Sequence, residues 1–327
     1  MSSRVGSRST RESLDDRCRP VASISYRYRR AVRRVSPVDL MLLGTVLLWA
    51  LNSTVTRYVL THGFEPLAYA TIRYGAATTL FWIFTYAREG TFRVAWRDMR
   101  LVVLAAAFIY VNQLCFVYSV DKTSAATVTL FLGATPIFIG IMASIVGIER
   151  MGRGFWIAAL VSVVGVGLVA SGSGGFGGHL FGDGLAIFTA VTWAGYSVLI
   201  TPLMRRYSPF RISSLVLLIG WIPLAITGAR QTASQTFHFS TLVWVCFAFA
   251  VIGPLFLTNI LWFTAISRVG PSRASLFSNM QPLFGVFFAL VLLGEHLTRW
   301  EVFGGVLILG AVIVERSRRT PPEPPGD

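Results

Sequence analysis

Charged side chains are scarce in this sequence, since only 13% of its 327 residues are Asp, Glu, Lys or Arg. Hydrophobic residues make up 54% of the chain, and its mean hydropathy is +0.63. These values lie outside the range of water-soluble globular domains and exclude an ordinary soluble fold. A chain of this length can hold about ten bilayer-crossing helices of about 20 residues each. The composition therefore predicts an all-α polytopic membrane protein whose surroundings are the lipid bilayer.

Cysteine clusters and catalytic motifs are also missing. The three cysteines, Cys18, Cys115 and Cys246, lie too far apart to show the spacing of a disulfide framework or a metal site. The sequence contains no P-loop, GxSxG or HExxH motif, and Asp15 with Asp16 form its only close acidic pair. We therefore predict no catalytic residue, no metal and no cofactor. A membrane-embedded enzyme is the least favoured alternative.

Acidic residues are few relative to basic ones. The chain has 29 Lys and Arg residues against 15 Asp and Glu, which gives a formal net charge of +14. In a soluble protein this excess would suggest nucleic acid, but here the basic residues lie in tails and loops between apolar runs, so no nucleic-acid partner is predicted. Most of them fall on one side of the membrane if the amino terminus is cytoplasmic. The positive-inside rule then predicts a multi-pass cell-membrane protein with both termini inside.

Apolar runs of spanning length follow one another along the chain. The ten runs cover 38–59, 66–87, 101–120, 124–148, 155–172, 184–204, 212–228, 241–265, 272–294 and 299–314. They predict a disordered basic cytoplasmic tail (1–37), a first five-helix unit (38–172), an outer linker (173–183), a second five-helix unit (184–315) and a flexible cytoplasmic tail (316–327).

The two five-helix units are similar in sequence. With a shift of 144 residues, the first span recurs in the sixth at Asp39/Asp183, Thr45/Thr189, Trp49/Trp193, Ala50/Ala194 and Ser53/Ser197. With a shift of 146, the fourth recurs in the ninth at Leu130/Leu276, Phe131/Phe277, Pro136/Pro282, Phe138/Phe284, Ala143/Ala289 and Glu149/Glu295. Because each unit has an odd number of spans, the second must enter the membrane from the opposite face. The sequence thus predicts ten transmembrane helices as two inverted five-helix repeats, the plan of many secondary transporters.

Each unit resembles the EamA-type repeat of the drug/metabolite transporter superfamily. The resemblance covers about residues 38 to 315 and is carried by the interval from Pro136 to Glu149, its copy from Pro282 to Glu295, and a glycine-bearing last span in each unit. It implies a ten-helix carrier in which the first four spans of each unit surround a central cavity. Members of this superfamily commonly export amino acids or other small metabolites. Arg73 departs from the repeat, because the seventh span has no basic counterpart.

Polar and aromatic side chains inside spans are the default candidates for substrate contacts, because polar groups are costly in hydrocarbon. They form matching stripes on the first and sixth spans and matching amide–aromatic pairs on the third and eighth. The predicted substrate-binding set is Thr45, Trp49, Asn52, Arg73, Gln113, Phe116, Thr189, Trp193, Tyr196, Asn259 and Trp262. The alternative for each polar residue is ordinary interhelical packing.

Arg73 is the only charge well inside a predicted span. A carboxylate or phosphate on the substrate would compensate its burial through bidentate hydrogen bonds. Alternatively, the side chain snorkels outward or binds a helix carbonyl.

Two further groups of residues carry structural expectations. Pro136, Pro282 and Pro254 fall inside predicted spans, where each would act as a hinge or produce a fixed kink. Glu149 and Glu295 end spans and should cap or pair locally, and Thr298 with Glu301 reads as a capping box.

The sequence predicts a secondary transporter, in the direction of export, for small metabolites such as amino acids or related compounds. Alternating access at a midplane cavity is the expected mechanism. No acid lies in the central part of a span, so flux would proceed by facilitated exit, by exchange, or through the interfacial acids Asp39 or Asp183. A non-transporting membrane scaffold subunit and a channel are the alternatives. Glycines of the tenth span would suit helix contact either in a homodimer or within one chain.

Overall fold

The computed structural model describes residues 37–147, 152–172, 179–204, 206–269, 277 and 280–318. Within these ranges the regular elements are all helical and no strand occurs. The predictions for residues 1–36, for 173–178 in the linker, for Glu149 and for 319–327 in the final tail lie outside the described residues. The all-α fold class is confirmed for the part of the chain that is described.

The helices agree with most of the predicted runs. The first unit contains α1 (Pro37–Thr61), α2 (Pro66–Glu89), α3 (Trp96–Lys122), α4 (Ala125–Leu132), α5 (Thr135–Ile145) and α6 (Arg153–Gly172). The second unit contains α7 (Leu180–Met204), α8 (Pro209–Ser234), α9 (Thr241–Val251), a π-helix (Ile252–Leu257), α10 (Thr258–Val269), α11 (Gln281–Leu293) and α12 (Arg299–Arg318).

By length and composition, five helical segments in the described ranges could cross a membrane. They are 37–61, 96–122, 180–204, 209–234 and 241–262, and α4 with α5 makes a sixth if the bent pair is counted as one span. Shorter apolar helices occur at 153–169 and 281–293. The prediction of ten spans therefore remains a prediction.

The kink expected at Pro136 takes the form of a break between two helices, so the expectation that this proline lies in mid-helix is wrong. α4 and α5 meet at an angle of 40°, and Pro136 lies in the first turn of α5. Pro282 likewise lies in the first turn of α11. The first turn tolerates proline because its N–H groups have no intrahelical acceptor. A Cβ atom on Gly133, at the break, would lie 2.8 Å from Cγ of Pro282, so the break packs against the first turn of α11 where only glycine fits.

Pro254 widens its helix instead of ending it. It lies within the π-helix between α9 and α10, where a missing backbone N–H is accommodated by a wider turn. Thr258 follows, and its hydroxyl donates to the Pro254 carbonyl at 2.6 Å. The same hydroxyl accepts a hydrogen bond from Nε1 of Trp49 at 3.0 Å, which joins α1 to the modified segment.

The helices α2 and α8 run antiparallel to each other. At one end of the pair, the backbone N–H of Leu67 donates to Oε1 of Gln231 at 2.7 Å. At the other end, Nη2 of Arg211 binds Oε2 of Glu89 at 2.9 Å. The start of α2 thus meets the end of α8, and the end of α2 meets the start of α8. These two helices, the second of each unit, therefore point in opposite directions.

The remaining contacts between the units follow a matching pattern. α6 packs on its counterpart α12, and α11, the counterpart of α5, packs on α4. α3 packs on α7. The equivalent contact is made by α1, the counterpart of α7, with α9, the π-helix and α10, which together are the counterpart of α3. A Cβ on Gly165 would lie 2.7 Å from the carbonyl oxygen of Gly304, so α6 and α12 approach closely at these glycines. Gly304 therefore serves packing within the chain, and the homodimer remains a prediction.

Two glutamates tie the units together at one end of the helices. The Glu295 carboxylate accepts from the backbone N–H groups of Ala125 and Ala126 at 3.0 and 2.9 Å, and so caps α4 of the other unit. Glu301 is 4% exposed and accepts from the Thr298 N–H at 2.8 Å, which confirms the capping box. It also accepts from the Thr127 hydroxyl of α4 at 2.7 Å. The local capping expected for Glu295 is corrected, since its partners lie in the first unit.

We expect Glu301→Ala to lower the free energy of unfolding by about 2 kcal/mol, because buried donors on Thr127 and Thr298 would lose a charged acceptor. Thermal melting of the detergent-purified protein measures the effect. Glu65→Ala is the matched control, since Glu65 makes no side-chain capping hydrogen bond. Equal melting temperatures for the two variants would show that the Glu301 contacts contribute no stability.

The Trp49–Thr258 hydrogen bond should give a coupling energy of about 1 kcal/mol in a double-mutant cycle of Trp49→Phe and Thr258→Val. Unfolding titrations in mixed micelles provide the four free energies. Thr227→Val is the control for Thr258→Val, because Thr227 also donates to a proline carbonyl, that of Pro223, at 3.0 Å. A coupling as large with Thr227→Val as with Thr258→Val would contradict a specific contact.

Candidate functional site

The Arg73 guanidinium lies in the interior of the helix bundle. Arg73 is 1% exposed and is held by side chains from three helices. Its Nη1 donates to Oδ1 of Asn52 on α1 at 3.1 Å and to the Tyr69 hydroxyl on α2 at 3.4 Å. Its Nη2 donates to Oε1 of Gln113 on α3 at 2.9 Å. Three members of the predicted set, Asn52, Arg73 and Gln113, are therefore in direct contact.

The hydrogen bonds continue from Arg73 into the second unit. Nε2 of Gln113 donates to Oδ1 of Asn112 at 2.9 Å. Nδ2 of Asn112 donates to the Thr189 carbonyl at 2.8 Å and to the Thr192 hydroxyl at 3.2 Å, both on α7. A flip of the Asn112 amide would replace its donating nitrogen by the oxygen and break both bonds, so the orientation of this amide is fixed. Because Oδ1 of Asn112 accepts from Gln113, the orientation of the Gln113 amide is fixed as well.

Aromatic rings surround the guanidinium. The Cζ atom of Arg73 lies 4.8 Å from the Tyr69 ring centroid, 5.6 Å from that of Tyr74 and 5.8 Å from that of Phe116. Cation–π attraction and the amide oxygens therefore share the stabilisation of the charge. None of the described acidic side chains pairs with Arg73, and its Nε makes no hydrogen bond.

This geometry decides against one interpretation of Arg73. Snorkelling would leave the guanidinium exposed, and binding to a helix carbonyl would give it a backbone acceptor. The guanidinium is buried instead, and its three acceptors are side-chain oxygens. The alternative of snorkelling or carbonyl binding is therefore wrong.

A second cluster, which we call the tryptophan cluster, consists of Trp49, Trp193, Tyr196 and Trp262. The ring centroids of Trp49 and Trp262 are 5.1 Å apart, and those of Trp49 and Trp193 are 6.0 Å apart. The Trp193 and Tyr196 centroids are 5.5 Å apart. The cluster thus combines rings from α1, α7 and α10, which belong to both units. Trp49 and Asn52 are separated by one helical turn, so the cluster adjoins the Arg73 network.

Three residues of the predicted set contact their own helices instead. The hydroxyls of Thr45 and Thr189 donate to the carbonyls of Met41 and Leu185 at 2.9 and 2.8 Å. Nδ2 of Asn259 donates to the carbonyl of Leu255. Thr189 still takes part through its backbone, as the acceptor for Asn112. The role of all eleven residues in substrate binding remains a prediction.

Sequence reasoning missed five residues that belong to the Arg73 network or contact the two clusters, namely Tyr69, Tyr74, Asn112, Thr192 and Thr258. Some of them had a signal in the sequence. Tyr69 precedes Arg73 by one helical turn, and Asn112 and Thr258 each adjoin a predicted amide. Two adjacent polar residues inside an apolar run, such as Asn112 with Gln113, indicate that their side chains form hydrogen bonds to two neighbouring helices. Thr192 has no such signal, because only the packing of α3 on α7 brings it to Asn112.

The two clusters together can bind a small molecule through two kinds of contact. The guanidinium and amides offer charge-assisted and neutral hydrogen bonds, and the rings offer an apolar surface. In the described part of the chain, no group of three or more His, Cys, Asp or Glu residues is placed to hold a metal ion.

The chain is similar in sequence to several known proteins. The chain is 25% identical over 279 residues to an uncharacterised transporter of Archaeoglobus fulgidus, covering 84% of this chain and 97% of that protein. It is 25% identical over 284 residues to the uncharacterised transporter YyaM of Bacillus subtilis, covering 84% and 92%. It is also 25% identical over 299 residues to a protein of Salmonella typhimurium named a "probable amino-acid metabolite efflux pump", covering 84% and 94%.

A protein of known crystal structure has a similar fold, with a TM-score of 0.61, 17% identity, and coverage of 86% of this chain and 99% of the other. The model of the EamA-like transporter family matches twice, at residues 36–171 and 180–315. These two matches coincide with the two five-helix units. The chain therefore belongs to the EamA-like transporter family.

Proposed function

We propose that the protein is a secondary transporter that exports small metabolites, such as amino acids or related compounds. Family membership and the spanning-length helices indicate a multi-pass membrane protein. The proposal adds ten spans in two inverted repeats, a cell-membrane location and cytoplasmic termini. The name of the Salmonella typhimurium relative supports amino-acid metabolites as the substrate class.

One observation carries the proposal: polar and aromatic side chains from both units converge in the interior. The Arg73 network reaches α7 through Asn112, and the tryptophan cluster joins α1 to α7 and α10. Such groups are costly inside a membrane unless they serve a function or pair with one another. A site shared by two units of opposite direction is typical of carriers that work by alternating access.

Polar contacts between the units at the ends of the helices would serve as gates. At one end, Asp98 is 3% exposed, accepts from Nη1 of Arg206 at 2.7 Å and accepts from the Tyr207 hydroxyl at 2.8 Å. At the end where α4 begins, Glu295 and Glu301 bind that helix. Opening toward either side would separate one set of contacts while the other set stays closed.

The positions of the acids bear on energy coupling. The acidic residues of the described ranges lie near helix ends or in loops, at Asp39, Glu65, Glu89, Asp98, Asp121, Asp183, Glu295, Glu301 and Glu315. A proton relay through the centre of a span would need a titrating carboxyl there. We therefore propose facilitated exit or exchange, with Asp39 and Asp183 as the sites to examine if a pH gradient drives flux.

Counterflow into proteoliposomes tests transport directly. The proteoliposomes are loaded with an unlabelled compound, and the same compound in radiolabelled form is added outside. Within a panel of amino acids and their metabolites, at least one labelled compound should accumulate transiently inside the vesicles. Trp49→Ala should lower this flux about tenfold, because removal of one ring contact at a shared site costs about 1.4 kcal/mol. Trp96→Ala is the control, since Trp96 is 85% exposed and lies outside both clusters.

The alternatives give different results in the same experiment. A scaffold subunit would show no flux for any compound of the panel, and a channel would show flux without counterflow. A membrane-embedded enzyme would return a chemically changed compound. Equal flux in the two tryptophan variants would contradict the assignment of the tryptophan cluster to the transport path.

A further inference from the structure

We infer that the substrate is a monocarboxylate with an apolar group next to the carboxylate, and that Arg73 binds this carboxylate. The inference rests on the proposed function and narrows its substrate class from amino acids and related compounds to the related compounds that carry a carboxylate but no ammonium group. It starts from the charge of Arg73, because a guanidinium stays protonated in proteins. Without a substrate, the site therefore holds a permanent positive charge.

The groups around Arg73 solvate this charge but do not neutralise it. Its hydrogen-bond acceptors are the neutral oxygens of Asn52, Tyr69 and Gln113, and its ring contacts are with neutral aromatic residues. No described carboxylate lies within ion-pair distance of it. Structural arginines in low-dielectric surroundings are normally paired with an acid. A ligand with one negative charge would supply the partner that the chain does not.

The free hydrogen-bond donors fit a carboxylate. A guanidinium has five N–H groups, and the three described bonds leave Nε–H and one N–H of Nη2 without an acceptor. Nε and Nη2 form one edge of the planar fork, the edge that can donate two parallel hydrogen bonds to a carboxylate. A phosphate ester carries close to two negative charges at neutral pH, and Arg73 alone balances only one.

The rest of the ligand must be apolar. The tryptophan cluster lies one turn along α1 from Asn52, and Phe116 and Tyr74 flank the guanidinium. These rings offer an extended apolar surface beside the carboxylate position. The described contacts of the network include no acidic side chain that would pair with an ammonium group. The favoured ligand therefore has a net charge of −1.

Binding to the purified protein tests this inference with defined probes. Phenylacetate and indole-3-acetate should raise the melting temperature, because they bind the folded state. Phenylacetate should also change the tryptophan fluorescence, because it binds beside the rings. Phenylacetamide, phenethylamine and phenyl phosphate, which differ in charge, should bind at least about tenfold more weakly. If neither carboxylate binds, or if the amide, the amine or the phosphate ester binds as well as phenylacetate, the inference is wrong.

Substitutions then assign the binding to Arg73. Asn52→Asp is isosteric and places a fixed carboxylate at the Nη1 position, so it should weaken phenylacetate binding about tenfold or more without lowering the melting temperature of the free protein. Arg73→Lys keeps the charge but loses the fork, and should weaken binding as well. Arg57→Gln is the control, because Arg57 donates to the carbonyls of Val120 and Asp121 at 2.7 Å, outside both clusters.

Carboxylate binding that is the same in Asn52→Asp as in the wild-type protein would overturn the inference. The counterflow assay separates its failure from failure of the proposed function. Counterflow of amines or neutral compounds, but not of carboxylates, would leave transport standing and remove the carboxylate assignment. Arg73-dependent binding of phenylacetate without counterflow of any compound would leave the carboxylate site standing and remove transport.

Discussion

Antiparallel packing of α2 against α8 is the contact that determines the position of the candidate site. The Trp221 indole donates to the Thr71 carbonyl at 2.9 Å, and Gly228 leaves room for the Thr71 side chain, which a Cβ atom there would overlap. Hydrogen bonds at both ends of the pair prevent α2 from sliding along α8. Because Arg73 lies two residues after Thr71 on the same helix, this packing also sets the depth and direction of the guanidinium.

With α2 held in this way, the neighbouring helices complete the site with few additional contacts. α1 supplies Asn52 to the guanidinium, and one turn earlier it supplies Trp49 to the rings of the second unit. The π-helix at Pro254 brings Thr258 to the Trp49 indole, so a local departure from α-helical geometry also positions a side chain of the candidate site. One buried charge, one set of rings and one modified helix therefore form a continuous region between the two units.

Different parts of this arrangement were predictable to different degrees. The helices and the repeat could be predicted, because hydropathy and the recurring Trp49/Trp193 and Pro136/Pro282 pairs are local properties of the sequence. A kink at Pro136 was expected, but the break between α4 and α5 that produces it was not, since the apolar run continues unchanged through it. The stripe of Thr45, Trp49 and Asn52 gave a correct helix face, but sequence spacing does not show that Thr45 satisfies its hydroxyl within α1. Hydrogen bonds between helices, such as that from Asn112 to Thr192, depend on how each helix is rotated about its axis and how far it is shifted along its neighbour. Residue spacing within one helix does not determine either quantity.

In the proposed arrangement the two units enter the membrane from opposite faces, and the loops that hold Arg93 and His238 allow this to be tested. Arg93 lies between α2 and α3, His238 lies between the corresponding helices α8 and α9, and both side chains are exposed. Single cysteines at these positions, in a chain whose native cysteines are replaced by alanine, can be labelled with an impermeant maleimide. The account predicts labelling at 238 in intact cells and at 93 only after permeabilisation. Labelling of both positions from the same face would contradict it.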